Sequence, residues 1–207
     1  MATTARQRRN IPDLPPPTSR DPLNGLSELM QMGTAFFAAD KSREPYGSGP
    51  PVRVYRKVVD ALRKRKVPFV LEGGWAVAAY GYERMTRDID FIVPGSAAHA
   101  RAAYRAMRSI RGKPQGERAF DEDDAAEPEA WLLSFRVDGW RVDLIKEPNI
   151  GELLSRSMRL RIGGRVVQVI DGVDLIKRKR LRNSAKDQLD IAFLLDKMRS
   201  YDSDARG

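Results

Sequence analysis

The sequence predicts an α+β domain in which a small mixed β-sheet is flanked by helices. Two observations carry that prediction. Short apolar runs of strand length alternate with longer stretches whose apolar residues recur at helical spacing. Tight-turn dipeptides, Asp138-Gly139 and Gly163-Gly164, join neighbouring runs into hairpins.

The organisation follows from composition. Eight of the 13 prolines lie within residues 1–51, beside Arg6, Arg8, Arg9 and Arg20, so this part is expected to be a disordered basic leader. Leu26, Leu29, Met30, Phe36 and Phe37 suggest one short helix within it. Residues 52–200 are expected to form the folded domain, and residues 201–207 a flexible tail.

Val52, Tyr55, Val58, Val59 and Leu62 recur at helical spacing. Pro68–Glu72 reads as a short strand running into Gly73-Gly74, and Trp75–Tyr80 as a small helix. Ile89–Val93 is an apolar run of strand length. Ser96 is placed to cap a helix extending to about Arg108. The acidic stretch Glu117–Glu129 is expected to be a loop. Trp131–Val137 and Trp140–Ile145 make the first hairpin, Asn149–Met158 a helix, and Leu160–Ile162 with Val166–Ile170 the second hairpin. Asp174–Leu181 and Lys186–Met198 read as two closing helices.

Composition narrows the chemistry. There is no cysteine and a single histidine, His99, so thiolate chemistry and a histidine zinc site are excluded. Catalysis must rest on carboxylates, lysine, arginine and metal. No apolar run reaches membrane-spanning length and the first residues carry no apolar signal segment, which predicts a cytoplasmic protein with no membrane partner. The net charge of +9 favours polyanionic partners, a nucleotide or a nucleic acid.

The most informative segment is Gly73–Phe91. Asp88 and Asp90 stand two apart at the start of a strand, so both carboxylates point to one face. Side by side they repel unless a cation lies between them, and Mg²⁺, a hard ion that takes oxygen ligands, fits. In Trp140–Ile145, Asp143 alternates away from Trp140, Val142 and Leu144; if that strand lies beside Ile89–Val93, Asp143 joins the pair. Glycines between a strand and a helix let a phosphate approach the backbone, with helix N–H groups facing the anion. Arg84 and Arg87 can add phosphate charge, and Thr86 can position Asp88 or a phosphate. Arg84 can equally pair with Glu72 or Glu83. Lys177–Lys186 concentrates positive charge, from which Lys179 is expected to contact a triphosphate and Lys186 to assist it or to pair with Asp187 at the last helix.

This pattern resembles the nucleotidyltransferase superfamily that includes DNA polymerase beta. The resemblance rests on Gly73-Gly74, a spacer spanning residues 75–87, Asp88-Ile89-Asp90-Phe91, and a later acid in Val142-Asp143-Leu144. Glu72 departs from the apolar residue that precedes the glycines in the family. Asp174-Leu175-Ile176-Lys177-Arg178-Lys179 and Lys186-Asp187-Gln188-Leu189-Asp190 resemble the C-terminal helices of small bacterial members of the antibiotic-modifying and toxin–antitoxin kinds. The resemblance implies transfer of a nucleoside monophosphate from a nucleoside triphosphate to an acceptor hydroxyl. It implies two Mg²⁺ ions on Asp88, Asp90 and Asp143, and Gly73, Gly74, Arg84, Thr86, Arg87, Lys179 and Lys186 around the nucleotide. The acceptor it leaves open among a small hydroxyl compound, a tRNA and a protein. It also implies a second chain, a partner protein or another copy, that completes the walls. Family members that serve as non-catalytic antitoxins or nucleotide sensors give one alternative, and a basic nucleic-acid-binding protein gives another.

Overall fold

A computed structural model describes residues 50–82, 84, 86–116 and 120–204, with side chains to residue 199. Residues 1–49 of the expected leader, with the short helix expected there, lie outside the described residues. The element order is α1 (Val52–Lys64), β1 (Val70–Glu72), α2 (Gly73–Ala79), β2 (Asp88–Pro94), α3 (Ala97–Ser109), β3 (Lys113–Gln115), α4 (Glu122–Ala126), β4 (Leu132–Val137), β5 (Trp140–Glu147), α5 (Ile150–Arg156), β6 (Met158–Ile162), β7 (Arg165–Val169), α6 (Gly172–Arg182) and α7 (Ala185–Asp204). The strands form one mixed seven-stranded sheet in the order β3-β4-β5-β2-β1-β7-β6. β2 runs parallel to β5 and antiparallel to β1, while β1 runs parallel to β7. The α+β architecture predicted from the sequence is therefore present.

Both hairpins turn as their dipeptides require. Asp138 and Gly139 have φ of 48° and 87°, and Gly163 and Gly164 have 54° and 78°. Two successive residues of positive φ match the right-handed twist of the flanking strands. Ser96 caps α3 as expected, accepting from the His99 amide.

The core's aromatic residues gather on the face of the sheet under α1 and α3, and Leu175, Ile176 and Leu194 of α6 and α7 add to the core. Tyr55 of α1 stacks on Trp75 at 4.9 Å and on Phe91 at 6.2 Å, and Tyr104 of α3 meets Phe135 at 5.9 Å. Phe91 alternates with Asp90, and Phe135 with Ser134, so the polar partners occupy the opposite face. That opposite face meets α6, where Arg178 bonds Glu72 and Glu147.

Four elements differ from the sequence expectation. The acidic stretch is not all loop: Asp121 and Asp124 form a reciprocal capping box that starts α4. β3 escaped notice because three residues centred on a proline carry no strand periodicity. Met158 opens β6 rather than closing a helix. α7 continues to Asp204, into the expected tail, because no proline or glycine interrupts it. Among the described residues no helix is long and apolar enough to cross a membrane.

Candidate active site

The register of β2 and β5 decides the site. Asp90 pairs with Asp143 and Asp88 with Arg141. Paired residues of neighbouring strands share a face, so Asp88, Asp90 and Asp143 converge, and each offers a carboxylate oxygen within 4.8 Å of the others. Glu72 on β1 pairs with Asp90 from the other side and adds a fourth acid to the row.

The crowding has an electrostatic cost. Asp90 is 8% exposed, and burial followed by the Asp88, Asp143 and Glu72 charges pushes its carboxyl up to about 8, with Arg182 opposing. A cluster that resists ionisation in its own field is relieved by a cation, and three convergent hard oxygen donors suit Mg²⁺. The donor set fits that ion.

The remaining contacts fix the acids. Thr86 Oγ1 donates to Asp88 Oδ1 at 2.8 Å. Ser134 Oγ donates to Asp143 Oδ1 at 2.7 Å, and Arg141 Nε reaches the same oxygen at 3.0 Å. Arg141 therefore pairs with Asp143 while Asp143 still faces Asp90. Arg178 Nε holds Glu72 at 2.8 Å.

The two glycines contribute what they lack. Gly73 has φ +69°, and a Cβ there would lie 1.8 Å from Asp90 Oδ2. A Cβ on Gly74 would lie 2.4 Å from Thr86 Oγ1 and 3.2 Å from Arg84 Nη1. Only glycine lets the start of α2 approach the acids and the Arg84–Thr86 segment this closely.

A cavity of about 260 Å³ opens beside the acids, lined by Gly74, Arg84, Thr86, Asp88, Asp90, Arg182, Ser184, Lys186 and Asp187. Most of the expected nucleotide-side residues thus come together around one space. Gly73 stands behind it against Asp90, and Asp143 flanks it on β5. Arg87 is exposed and is not part of this wall.

Arg84 and Lys179 are placed differently from the sequence expectation. Arg84 grips Asp190 with both nitrogens, Nε to Oδ1 at 2.5 Å and Nη2 to Oδ2 at 2.6 Å, rather than Glu72. Lys179 is 1% exposed and pairs with Asp190 Oδ2 at 2.6 Å and Asp187 Oδ1 at 3.4 Å. It faces the interior between α6 and α7, because two buried carboxylates without a cation would be far costlier there. Lys179 therefore stands behind the wall, neutralising Asp190, which holds Arg84, and Asp187, which holds Arg182. Lys186 remains on the wall, and burial followed by the Arg84 charge lowers its pKa.

Arg182, Ser184 and Asp187 were not singled out as ligands in the sequence. Ser184 and Asp187 cap α7 reciprocally, with Asp187 N to Ser184 Oγ at 3.2 Å and Ser184 N to Asp187 Oδ2 at 3.3 Å. The Ser-x-x-Asp spacing was the available signal. Burial opposes the charge on Asp187, yet bonds from Ser184 and Arg182 bring its pKa down to about 2.

No protein-family model and no curated protein sequence matches the chain. Solved structures do. The antibiotic-resistance factor ANT(2'')-Ia in solution is similar over 75% of this chain and 90% of its own, with TM-score 0.53 and 17% identity. Its crystal structure with adenylyl-2''-tobramycin is similar over 74% and 98%, with TM-score 0.50 and 16% identity. The lincomycin-bound lincosamide adenylyltransferase LnuA covers 69% and 94%, with TM-score 0.49 and 17% identity. The chain has the nucleotidyltransferase fold.

Proposed function

We propose that this protein is a magnesium-dependent nucleotidyltransferase that moves a nucleoside monophosphate from a nucleoside triphosphate to an acceptor hydroxyl. The observation that carries the reading is the convergence of Asp88, Asp90 and Asp143 within 4.8 Å beside the glycine turn and the cavity. A relative that bound neither metal nor nucleotide would have no physical reason to hold three mutually repelling acids together.

Asp88 and Asp90 would hold two Mg²⁺ ions, and Asp143 would complete the second site. Bound magnesium supplies charge neutralisation to the attacking and leaving oxygens. The chain's own residues do the positioning. Gly73 and Gly74 let the triphosphate lie close to the start of α2. Lys186 and Arg182 face its charge from α7 and the end of α6, and Thr86 keeps Asp88 turned toward the cavity. Arg84, held by Asp190, adds its positive charge to the wall of the same space. Arg87, exposed next to Asp88 in the chain, adds positive charge outside the wall.

The acceptor oxygen bonds to the α-phosphorus. The bond from that phosphorus to the bridging oxygen breaks, and pyrophosphate leaves with the electron pair. The hydroxyl proton passes to Asp143, whose direction is fixed by Ser134 and Arg141. Such catalysis is chiefly orientation and charge stabilisation.

ANT(2'')-Ia bound to adenylyl-2''-tobramycin offers a precedent for a small hydroxyl acceptor on this fold. Transfer of labelled phosphate from each of the common triphosphates, with pyrophosphate release as readout, tests the reading. Asp90→Asn is expected to fold, by circular dichroism, and to lose at least about 100-fold in rate. A folded Asp90→Asn protein transferring at the native rate would remove the metal role.

A further inference from the structure

The reaction above leaves the acceptor unnamed, and the sheet beyond Asp143 bears on it. Register places Lys113 of β3 opposite Arg136 of β4, Arg136 opposite Arg141 of β5, and Arg141 opposite Asp88 of β2. Directly opposed residues share a face, so Lys113, Arg136 and Arg141 form one transverse row ending at the carboxylates. All three are exposed. With strands about 4.8 Å apart, the row reaches about 14 Å from Asp88.

Like charges opposed across strands destabilise a sheet. Arg141 is balanced by Asp143 at 2.9 Å. Among the described residues Arg136 meets only neutral acceptors, Gln115 Oε1 at 3.3 Å and the Gly139 carbonyl at 2.9 Å. Lys113 has no side-chain partner among the described residues. Two uncompensated cations are thus lined up on the acceptor side of the acids.

The acids of α4 are not on this side. Lys146 alternates away from Asp143, and its Nζ donates to the Ala125 and Glu127 carbonyls. α4 therefore lies over the opposite face, where Asp123 and Glu122 are paired with Arg101 and Arg105 of α3. A cationic acceptor approaching Asp143 would meet arginine and lysine rather than these acids.

We infer that the acceptor is a single-stranded nucleic acid whose terminal hydroxyl is delivered to the acids while its phosphates lie along Arg141, Arg136 and Lys113. This rests on the nucleotidyl-transfer reading and names the substrate class of that same site. The row presents cations and no stacking ring, so it holds the backbone with little base preference. Its geometry favours a thin, evenly charged strand over the irregular charge of an acidic protein.

Binding is measured apart from transfer, by fluorescence anisotropy of a labelled, unstructured 12-nucleotide RNA with the full chain across a salt series. The double variant Lys113→Glu/Arg136→Glu is expected to weaken binding at least about 10-fold, and its log–log salt slope to flatten by about 1.4, two phosphate contacts. Lys113→Gln/Arg136→Gln, a gentler pair, is expected to weaken it about threefold. Lys64→Glu/Arg65→Glu, an equal charge change on exposed residues at the end of α1, should alter it less than about twofold. Thermal melts establish that each variant is folded. Equal weakening by the row and control variants, or no binding by the native chain, overturns the inference, as does poly-glutamate competing as well as unlabelled RNA. Binding is read without a nucleoside triphosphate, so it does not depend on turnover. RNA binding without transfer to any acceptor would therefore condemn the catalytic reading alone. Transfer to a small hydroxyl compound without RNA binding would condemn this inference alone.

Discussion

Gly73 and Asp90 are in such close register that no side chain fits between them: a Cβ on Gly73 would stand 1.8 Å from Asp90 Oδ2. The positive φ of 69° adds a second reason for glycine, since other residues occupy that region at a cost. The acids and the start of α2 are therefore one geometric unit. Gly73→Ala is expected to lower stability by about 1–2 kcal/mol and to displace the Asp90 carboxylate. Urea unfolding and magnesium titration of the same variant check both; native affinity for magnesium would contradict the close packing.

Asp190 carries a different kind of dependence. It is 0% exposed and shared by Arg84 and Lys179, so Asp190→Ala takes a buried carboxylate from both cations at once. Loss of one partner of a buried pair costs about 3–5 kcal/mol. Urea denaturation should show a loss of that size, and Lys179→Met added to Asp190→Ala should recover part of it. No recovery would mean that Lys179 is not a principal beneficiary of Asp190.

Acidity gives a pH-dependent prediction. Asp90 titrates near 3.8 when unfolded and at about 8 in the folded chain, because burial and the neighbouring acids oppose its charge. The folded state thus holds an extra proton between those values. That contribution is complete below pH 3.8 and is lost as pH rises through about 8. In chelator, the melting temperature of the native chain should fall relative to Asp90→Asn over this window. Magnesium should restore it on the alkaline side and release a proton on binding, seen as a buffer-dependent heat.

Much of this arrangement was legible before any coordinates. The alternation around Asp88, Asp90 and Asp143 is a local property of strands, and the two hairpin dipeptides encode their own turns. Register between β2 and β5 could only be assumed, since parallel neighbours far apart in sequence leave no local signal. The ion pairs that Arg84 and Lys179 make with Asp190 are hidden for the same reason. A cation in a basic run looks like a phosphate ligand until Asp190, 106 residues beyond Arg84, is brought against it. The cross-strand row of Lys113, Arg136 and Arg141 was invisible because β3 has too few residues to show a period.

The central claim is that Asp88, Asp90 and Asp143 bind divalent cations jointly. Manganese binding in the presence of a non-hydrolysable triphosphate, followed by electron paramagnetic resonance, tests it most directly. Asp143→Asn is expected to keep the fold and lose at least about 10-fold in affinity, as removal of one ligand from a shared site should. Native manganese affinity and an unchanged spectrum in a folded Asp143→Asn protein would contradict it.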